Sequence, residues 1–302
     1  MRKLFASNRF KVQLKSSEQT LKAEFKNHNT KSEPPSMISN LAYIHPKAKI
    51  GNNVTIEPFT TVAANAEVGD GTWIGPNVSI MDGARIGKNC KIFPGAVISG
   101  EPQDLKFEGE ETLTIIGDNT IIRECVTVNR GTKWSFKTEV GSNCLLMAYS
   151  HVAHDCIIGN NVILANNVNL AGHIIIEDFV NIGGVSAVQQ FLKIGTQSFI
   201  TGGSLVRKDV PPFIKAAREP LSYAGVNSVG LKRRGYSPEA IAEIHNIYRV
   251  IFVEHDNVSR ALEALEEKFQ SSPERDSIIQ FIRSSEKGII KGYDSVAHED
   301  FS

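Results

Sequence analysis

Aliphatic residues recur every six positions through the middle of this chain. Between Ile44 and Val206 the series has 28 positions, and only Asp104, Glu110 and Trp134 break it, so chance does not account for the pattern. Small residues or valine follow four places after many of them (Ala48, Val54, Ala66, Thr72, Val78, Ala84), and glycine often comes directly after (Gly51, Gly69, Gly75, Gly87, Gly117, Gly141, Gly159, Gly195). A period of six fits neither a helix nor an alternating strand. It predicts a solenoid in which each unit is one short flat strand and a turn, and three units close one triangular coil. The aliphatic columns then fill a narrow interior, and at about 25 cal/mol per Å² of buried apolar surface they supply the main stabilising term. Asn53, Asn77, Asn89, Asn161 and Asn167 suit turn positions with positive φ. The expected fold is mainly β, a parallel β-helix over residues 37–212.

Both interruptions leave the register unshifted, so "EPQDLKFEGEET" and "GTKWSFKTE" replace whole units as loops, at 100–113 and 130–139. Loops on a rigid scaffold commonly carry function, which makes Asp104 and Lys106 candidate ligand contacts; solvated loop charges are the plainer reading. After "VRKDVPPF" the hexads stop, and residues 213–302 are expected to form a small helical domain. Ser237 as N-cap with Pro238 at the first helical position opens one helix. Further helices are expected over Val258 to Phe269 and Glu274 to Ser284, and "GLKRRGY" is expected as a basic loop at the entrance.

Composition narrows the class. The formal net charge is zero, so no nucleic-acid footprint is expected, and no apolar run reaches the roughly 20 residues of a membrane-spanning helix. The four cysteines lack C-x-x-C spacing and read as reduced thiols in an intracellular or organellar compartment. Residues 1–36 differ from the rest. Arg2, Lys3, Arg9, Lys11 and Lys15 precede any acid, with Leu4, Phe5, Phe10, Val12 and Leu14 interspersed. A leader of this kind reads as a transit peptide followed by a linker. Mitochondrial targeting is the expectation, with a plastid as the alternative and a disordered tail as the plainer reading.

The stretch "AYSHVAHDC" concentrates the candidate chemistry. Positions three hexads apart stack in the expected coil, so His154, Gly172 and Gln190 form a column, with His173 close to His154. A glycine above the histidine leaves a side-chain-sized gap and an N–H donor, which together with a base is what acyl transfer requires. Asp155 adjoins His154 and suits the role of an orienting carboxylate; whether it reaches the ring is left to the tertiary structure. A zinc site from His151, His154 and His173 competes with this reading, as in the hexapeptide-repeat γ-class carbonic anhydrases. The H-x-x-H spacing on a flat strand-turn disfavours it, and no metal is expected. Turn histidines with ordinary hydrogen bonds are the third reading.

The motifs "QDLK", "RECVTVNRGT", "AHDC", "LANNVNLAGH", "IGG", "QQF", "DVPPF" and "GVNSVGLKRRG", in this order, closely resemble the bacterial UDP-N-acetylglucosamine 3-O-acyltransferases that start lipid A synthesis. The resemblance runs from about Ile38 to the end of the chain, and with the basic leader the sequence looks like an organelle-targeted eukaryotic version. It implies a left-handed β-helix, against the usual right-handed crossover. It further implies transfer of a 3-hydroxyacyl group from acyl carrier protein to the sugar 3-hydroxyl, with no cofactor beyond the carrier's phosphopantetheine, by a homotrimer whose active sites lie between subunits. By the same resemblance His154 matches the general base, Asp155 its partner and the Gly172 N–H the oxyanion donor. Asp104, Lys106, His151 and His173 match substrate contacts, and Gln190 lies near the acyl or pantetheine path. Gly202 matches the position that limits acyl length, while Asn227, Arg233 and Arg234 match the nucleotide end. Asn129, Gln189 and Val229 depart from the pattern, which bears on sugar and nucleotide selectivity. Transfer to a different nucleotide sugar, and a non-enzymatic hexapeptide subunit of an organelle complex, are the alternatives; the second predicts a damaged His154 column.

Overall fold

The computed structural model describes residues 37–255 and 257–292, so the expected leader and linker at 1–36 lie outside the described residues. Twenty-eight short strands, most of them two residues long, stack into three sheets of 11, 9 and 8 strands, here called the first, second and third faces. Successive strands visit the three faces in turn, which is the triangular coil that the hexads predict. Pairing is parallel and three hexads apart through most of the coil, as in Val152↔Leu170 and Leu170↔Val188.

The hexad aliphatics point inward and are buried from Ile56 to Val206, and the smaller residue two places before each fills the remaining space. Cys90, Cys144 and Cys156 belong to that second set, which accounts for three of the four free thiols as packing residues. At two of the positions where the small residue is a threonine, its hydroxyl donates to a corner carbonyl in the next coil, Thr60 to Gly75 at 2.7 Å and Thr72 to Gly87 at 2.9 Å, which satisfies those buried donors. All five asparagines singled out for turns have positive φ, between 55° and 59°. The corner glycines serve close approach instead: a Cβ on Gly141 would lie 2.5 Å from the Gly159 carbonyl oxygen of the next coil.

Around the loops the register widens by whole units. Ile86 pairs with Ile116, five hexads on, and Ile116 pairs with Val140, four hexads on. Both insertions leave the second face, after Val97–Gly100 and after Thr127–Asn129, and rejoin on the third. They therefore occupy one corner in adjacent coils, directly before the corner that carries His154.

Beyond Val206 the structure is less purely helical than the sequence suggests. Strands Ile214–Ala217 and Ser222–Val226 extend the first face, the second of them antiparallel. The segment expected as a basic loop is a short helix, α1 (Ser228–Arg233), capped by the Asn227 side chain accepting from the Gly230 N–H; the local cap outweighs the glycine and the clustered charge. The remaining helices follow the sequence signals: α2 (Pro238–Arg249) with Ser237 accepting from the Ala240 N–H, α3 (Val258–Lys268) and α4 (Pro273–Arg283). A π-helical turn, Val250–Glu254, continues α2. Among the described residues no helix is long and apolar enough to cross a membrane.

Candidate active site

His154 and Asp155 sit at the corner between strand His151–Val152 of the second face and Ile157–Ile158 of the third. Asp155 takes φ 59°, a left-handed corner conformation like that of His173 and Phe179 at later corners. His154 Nδ1 lies 2.8 Å from Asp155 Oδ2. An ionised carboxylate only accepts, so Nδ1 carries the proton and Nε2 is left as the basic nitrogen. The Asp155 side chain is wholly buried and that of His154 nearly so, at 0% and 13% exposure. Burial by itself pushes the Asp155 carboxyl up, but hydrogen bonds from His154, Ser135 and Thr132 outweigh it and hold the group well below the ordinary carboxylate range.

The other donors to Asp155 come from the second insertion; Thr132 closes the motif "RECVTVNRGT", while no motif reaches Ser135. Oδ1 accepts from the Thr132 N–H at 3.0 Å, the Ser135 N–H at 3.2 Å and the Ser135 hydroxyl at 2.5 Å. Oδ2 accepts from the Thr132 hydroxyl at 2.7 Å, beside His154. The register carried a signal that finds them: the break after Val128 falls in the coil next to Val152, so its residues lie against His154.

The expected column is present in altered form. Gly172 does stack on His154, but the space it leaves is filled by the imidazole itself, since a Cβ on Gly172 would lie 2.7 Å from His154 Cε1 and 2.9 Å from Nε2. The glycine therefore makes room for the imidazole rather than for an open slot. Its N–H makes no hydrogen bond among those described, and its carbonyl accepts from the Phe191 N–H at 3.2 Å. Gln190, next in the column, is exposed. His173 crosses His154 edge to face at 5.0 Å, stacks on Phe191 at 4.5 Å and meets the Trp134 edge at 5.3 Å. Burial lowers its pKa, partly offset by Asp155. Asp104 and Lys106 lie near enough for their charges to act on His173, and the Asp104 carboxylate caps the Lys106 N–H at 3.0 Å.

His151 is not one of the donors that gather with His154, although the two rings are near enough for their charges to interact. It stands on the second face, its Nδ1 2.7 Å from the Thr127 hydroxyl, and burial lowers its pKa. Among the described residues the donors that do gather are His154, Asp155 and His173, within 4.8 Å of one another. A cation there would compete with the donors that already occupy both Asp155 oxygens and would have to displace the proton on His154 Nδ1, so the donor set suits an acid–base pair better than a metal. Cys156 is also excluded as a nucleophile: burial pushes its thiol up to about 12, and it donates inward to the Ala171 carbonyl at 3.1 Å.

The other candidate residues lie elsewhere on the chain. Asn227, Arg233 and Arg234 line a cavity of about 340 Å³ with Lys215, Phe199 and Asn181 on the outside of the first face. The Arg234 guanidinium lies 5.6 Å from the Phe179 ring centre. Gly202 follows strand Phe199–Ile200 at the corner after the first face, away from His154. One chain thus presents a buried His154–Asp155 pair at one corner and a basic cavity on another face.

Comparison with known proteins places these features in context. Residues 209–290 match the family model described as UDP-N-acetylglucosamine O-acyltransferase, domain 2, and residues 65–100 and 137–172 match the bacterial transferase hexapeptide model. An acyl-carrier-protein-dependent UDP-N-acetylglucosamine O-acyltransferase of Chlorobaculum parvum is 54% identical over 193 residues, 64% of this chain and 73% of the relative. The UDP-N-acetylglucosamine acyltransferase LpxA of Bacteroides fragilis superposes with a TM-score of 0.83 at 51% identity, covering 84% of this chain and all of that one. The Arabidopsis UDP-N-acetylglucosamine acyltransferase superposes with a TM-score of 0.74 at 34% identity, with 84% and 100% covered. The coil is accordingly the left-handed parallel β-helix expected from the sequence, followed by C-terminal helices.

Proposed function

Because this chain belongs to the acyl-carrier-protein-dependent UDP-N-acetylglucosamine O-acyltransferases, we propose that His154 is the general base of that reaction here. The protein transfers a 3-hydroxyacyl group from acyl carrier protein to the sugar 3-hydroxyl, the first step of lipid A biosynthesis. His154 Nε2 takes the hydroxyl proton as the oxygen attacks the thioester carbonyl. The oxyanion so formed calls for an N–H donor, the role proposed for Gly172. When the intermediate collapses, the C–S bond breaks and the departing pantetheine sulfur receives the proton from His154. Asp155 holds Nδ1 throughout and stabilises the imidazolium. Every proton is returned, so the scheme requires no cofactor of the protein's own. The observation that carries it is the His154–Asp155 bond at 2.8 Å inside a wall of donors.

Asp104, Lys106, His151 and His173 are proposed as acceptor and donor contacts around the base, and Gln190 as a contact on the acyl or pantetheine path. Gly202 is proposed as the limit of the acyl channel, and Asn227, Arg233 and Arg234 as the nucleotide subsite. The separation of the base from the basic cavity supports a homotrimer, in which one subunit's cavity faces another's corner. The direct test is release of carrier thiol from 3-hydroxyacyl carrier protein on addition of UDP-N-acetylglucosamine, with mass spectrometry of the product. Val229 lines the basic cavity, so the assay includes other nucleotide sugars; a preference for one of them at least 10-fold in kcat/KM overturns the acceptor assignment. A complete absence of transfer favours the non-enzymatic reading.

We further propose that residues 1–36 carry the protein into the mitochondrion, with the plastid as the alternative. Their basic, acid-poor start and the occurrence of a related enzyme in Arabidopsis support an organellar form. A fluorescent protein fused behind residues 1–36 is expected to enter the organelle, and a diffuse signal overturns the assignment.

A further inference from the structure

The Asp155 carboxylate receives more than its neighbour requires. Orienting His154 takes one oxygen lone pair, yet four additional donors converge on the two oxygens, all from Thr132 and Ser135. Nothing in the sequence adjacency of His154 and Asp155 forces them to meet, because a side chain on a tight corner is free to turn away from its neighbour. There is also a rival. His173 Nδ1 is buried without a hydrogen-bond partner and lies 3.9 Å from the same Oδ2 that His154 uses. The carboxylate could serve either ring.

The loop settles this geometrically. The Thr132 hydroxyl accepts from the Trp134 N–H at 3.2 Å, which orients its own proton toward Asp155 Oδ2. The Ser135 hydroxyl has two acceptors within reach, the Lys137 carbonyl at 2.8 Å and Asp155 Oδ1 at 2.5 Å. A charged acceptor at the shorter distance takes the stronger bond. From the other side Asp155 is pinned by its own N–H, which donates to the Thr138 hydroxyl at 2.8 Å. With both oxygens held, the carboxylate has one free direction on Oδ2, and His154 fills it.

We propose that the second insertion is a clasp whose Thr132 and Ser135 hydroxyls are positioning residues: they lock Asp155 onto His154 Nδ1 and so keep Nε2 as the free base. This rests on the assignment of His154 as the base, and it adds what selects that histidine's tautomer. Neither hydroxyl touches the reacting atoms.

The test separates the clasp from the overall activity. In full-length protein with ¹⁵N-labelled histidine, the imidazole signals distinguish the Nδ1–H from the Nε2–H tautomer without any substrate. Wild-type His154 is expected wholly as Nδ1–H. The double variant Thr132→Val with Ser135→Ala is expected to show a mixture with Nε2–H, and kcat is expected to fall about 10-fold or more with KM for both substrates within about 2-fold. Thr132→Ser, which keeps the hydroxyl, is expected to retain the wild-type tautomer and rate. Each variant's thermal melt establishes that it is folded; should the double variant fail to fold, the Ser135→Ala single variant carries the same reading of the signals. His154 remaining wholly Nδ1–H in the folded variant overturns the proposal whatever happens to the rate. A wild-type protein that transfers no acyl group overturns the functional reading instead, while the tautomer still judges the clasp.

Discussion

Acyl transfer by His154→Ala is expected to fall by at least about 100-fold in kcat, within the 10²–10⁴ range that a positioned general base contributes. The reason lies in what remains around the missing ring. Burial lowers the His173 pKa, but its ring is held between Phe191 and Trp134. It cannot swing into the vacated position without losing the stack. The Cys156 thiol points into the core and stays protonated. Residual turnover should therefore come from binding and the oxyanion donor alone. KM for UDP-N-acetylglucosamine should change much less than kcat, because the lost interaction strengthens only as the proton moves. Carrier-thiol release at saturating substrates measures both quantities. A loss under about 10-fold would remove His154 from the role of base.

Gly172→Ala is expected to disable the same residue without touching it. The new methyl carbon would lie 2.7 Å from His154 Cε1 and 3.2 Å from Nδ1, closer than side-chain carbons are found. Something must give. The backbone on either side is fixed by ladder pairing, Asn169↔Ala187 and Leu170↔Val188, and by the Phe191 N–H on the Gly172 carbonyl. The imidazole is the free end of a side chain and turns more readily than a coil of the β-helix. The ring should swing out, breaking the 2.8 Å bond to Asp155. A fall in kcat of about 100-fold is expected, comparable to loss of the base, with the melting temperature within a few degrees of wild type. Because both substitutions act on one group, the double variant His154→Ala with Gly172→Ala should be no worse than His154→Ala alone. Wild-type activity in Gly172→Ala would show that the ring has another stable position from which it works.

The course of the chain was largely legible in the sequence. Hexad spacing identified the coil, its interior residues and the corner asparagines, and two unshifted breaks identified loops. The caps at Ser237 and Pro238 located the helix that begins there. The limits arose where a local signal was outweighed. "GLKRRGY" reads as a loop because of its glycines and charges, yet Asn227 caps a short helix through it. The segment from residue 213 reads as helical because its hexads have ended, yet two strands continue the first face by ordinary pairing that needs no hexad.

At the site the division follows the same logic. Stacking at intervals of three hexads brought His154, Gly172 and His173 together on paper, since every coil repeats the contacts of the one before. The sequence alone therefore determined the scaffold, the column and the histidine proposed as the base. What it did not determine is how the base is held. Asp155 meets Ser135 and Thr132 across separations of 20 and 23 in sequence, neither a multiple of the coil. Those distances depend on where a loop leaves one face and rejoins another. Only the folded chain fixes that path, and with it which of two neighbouring histidines receives the carboxylate.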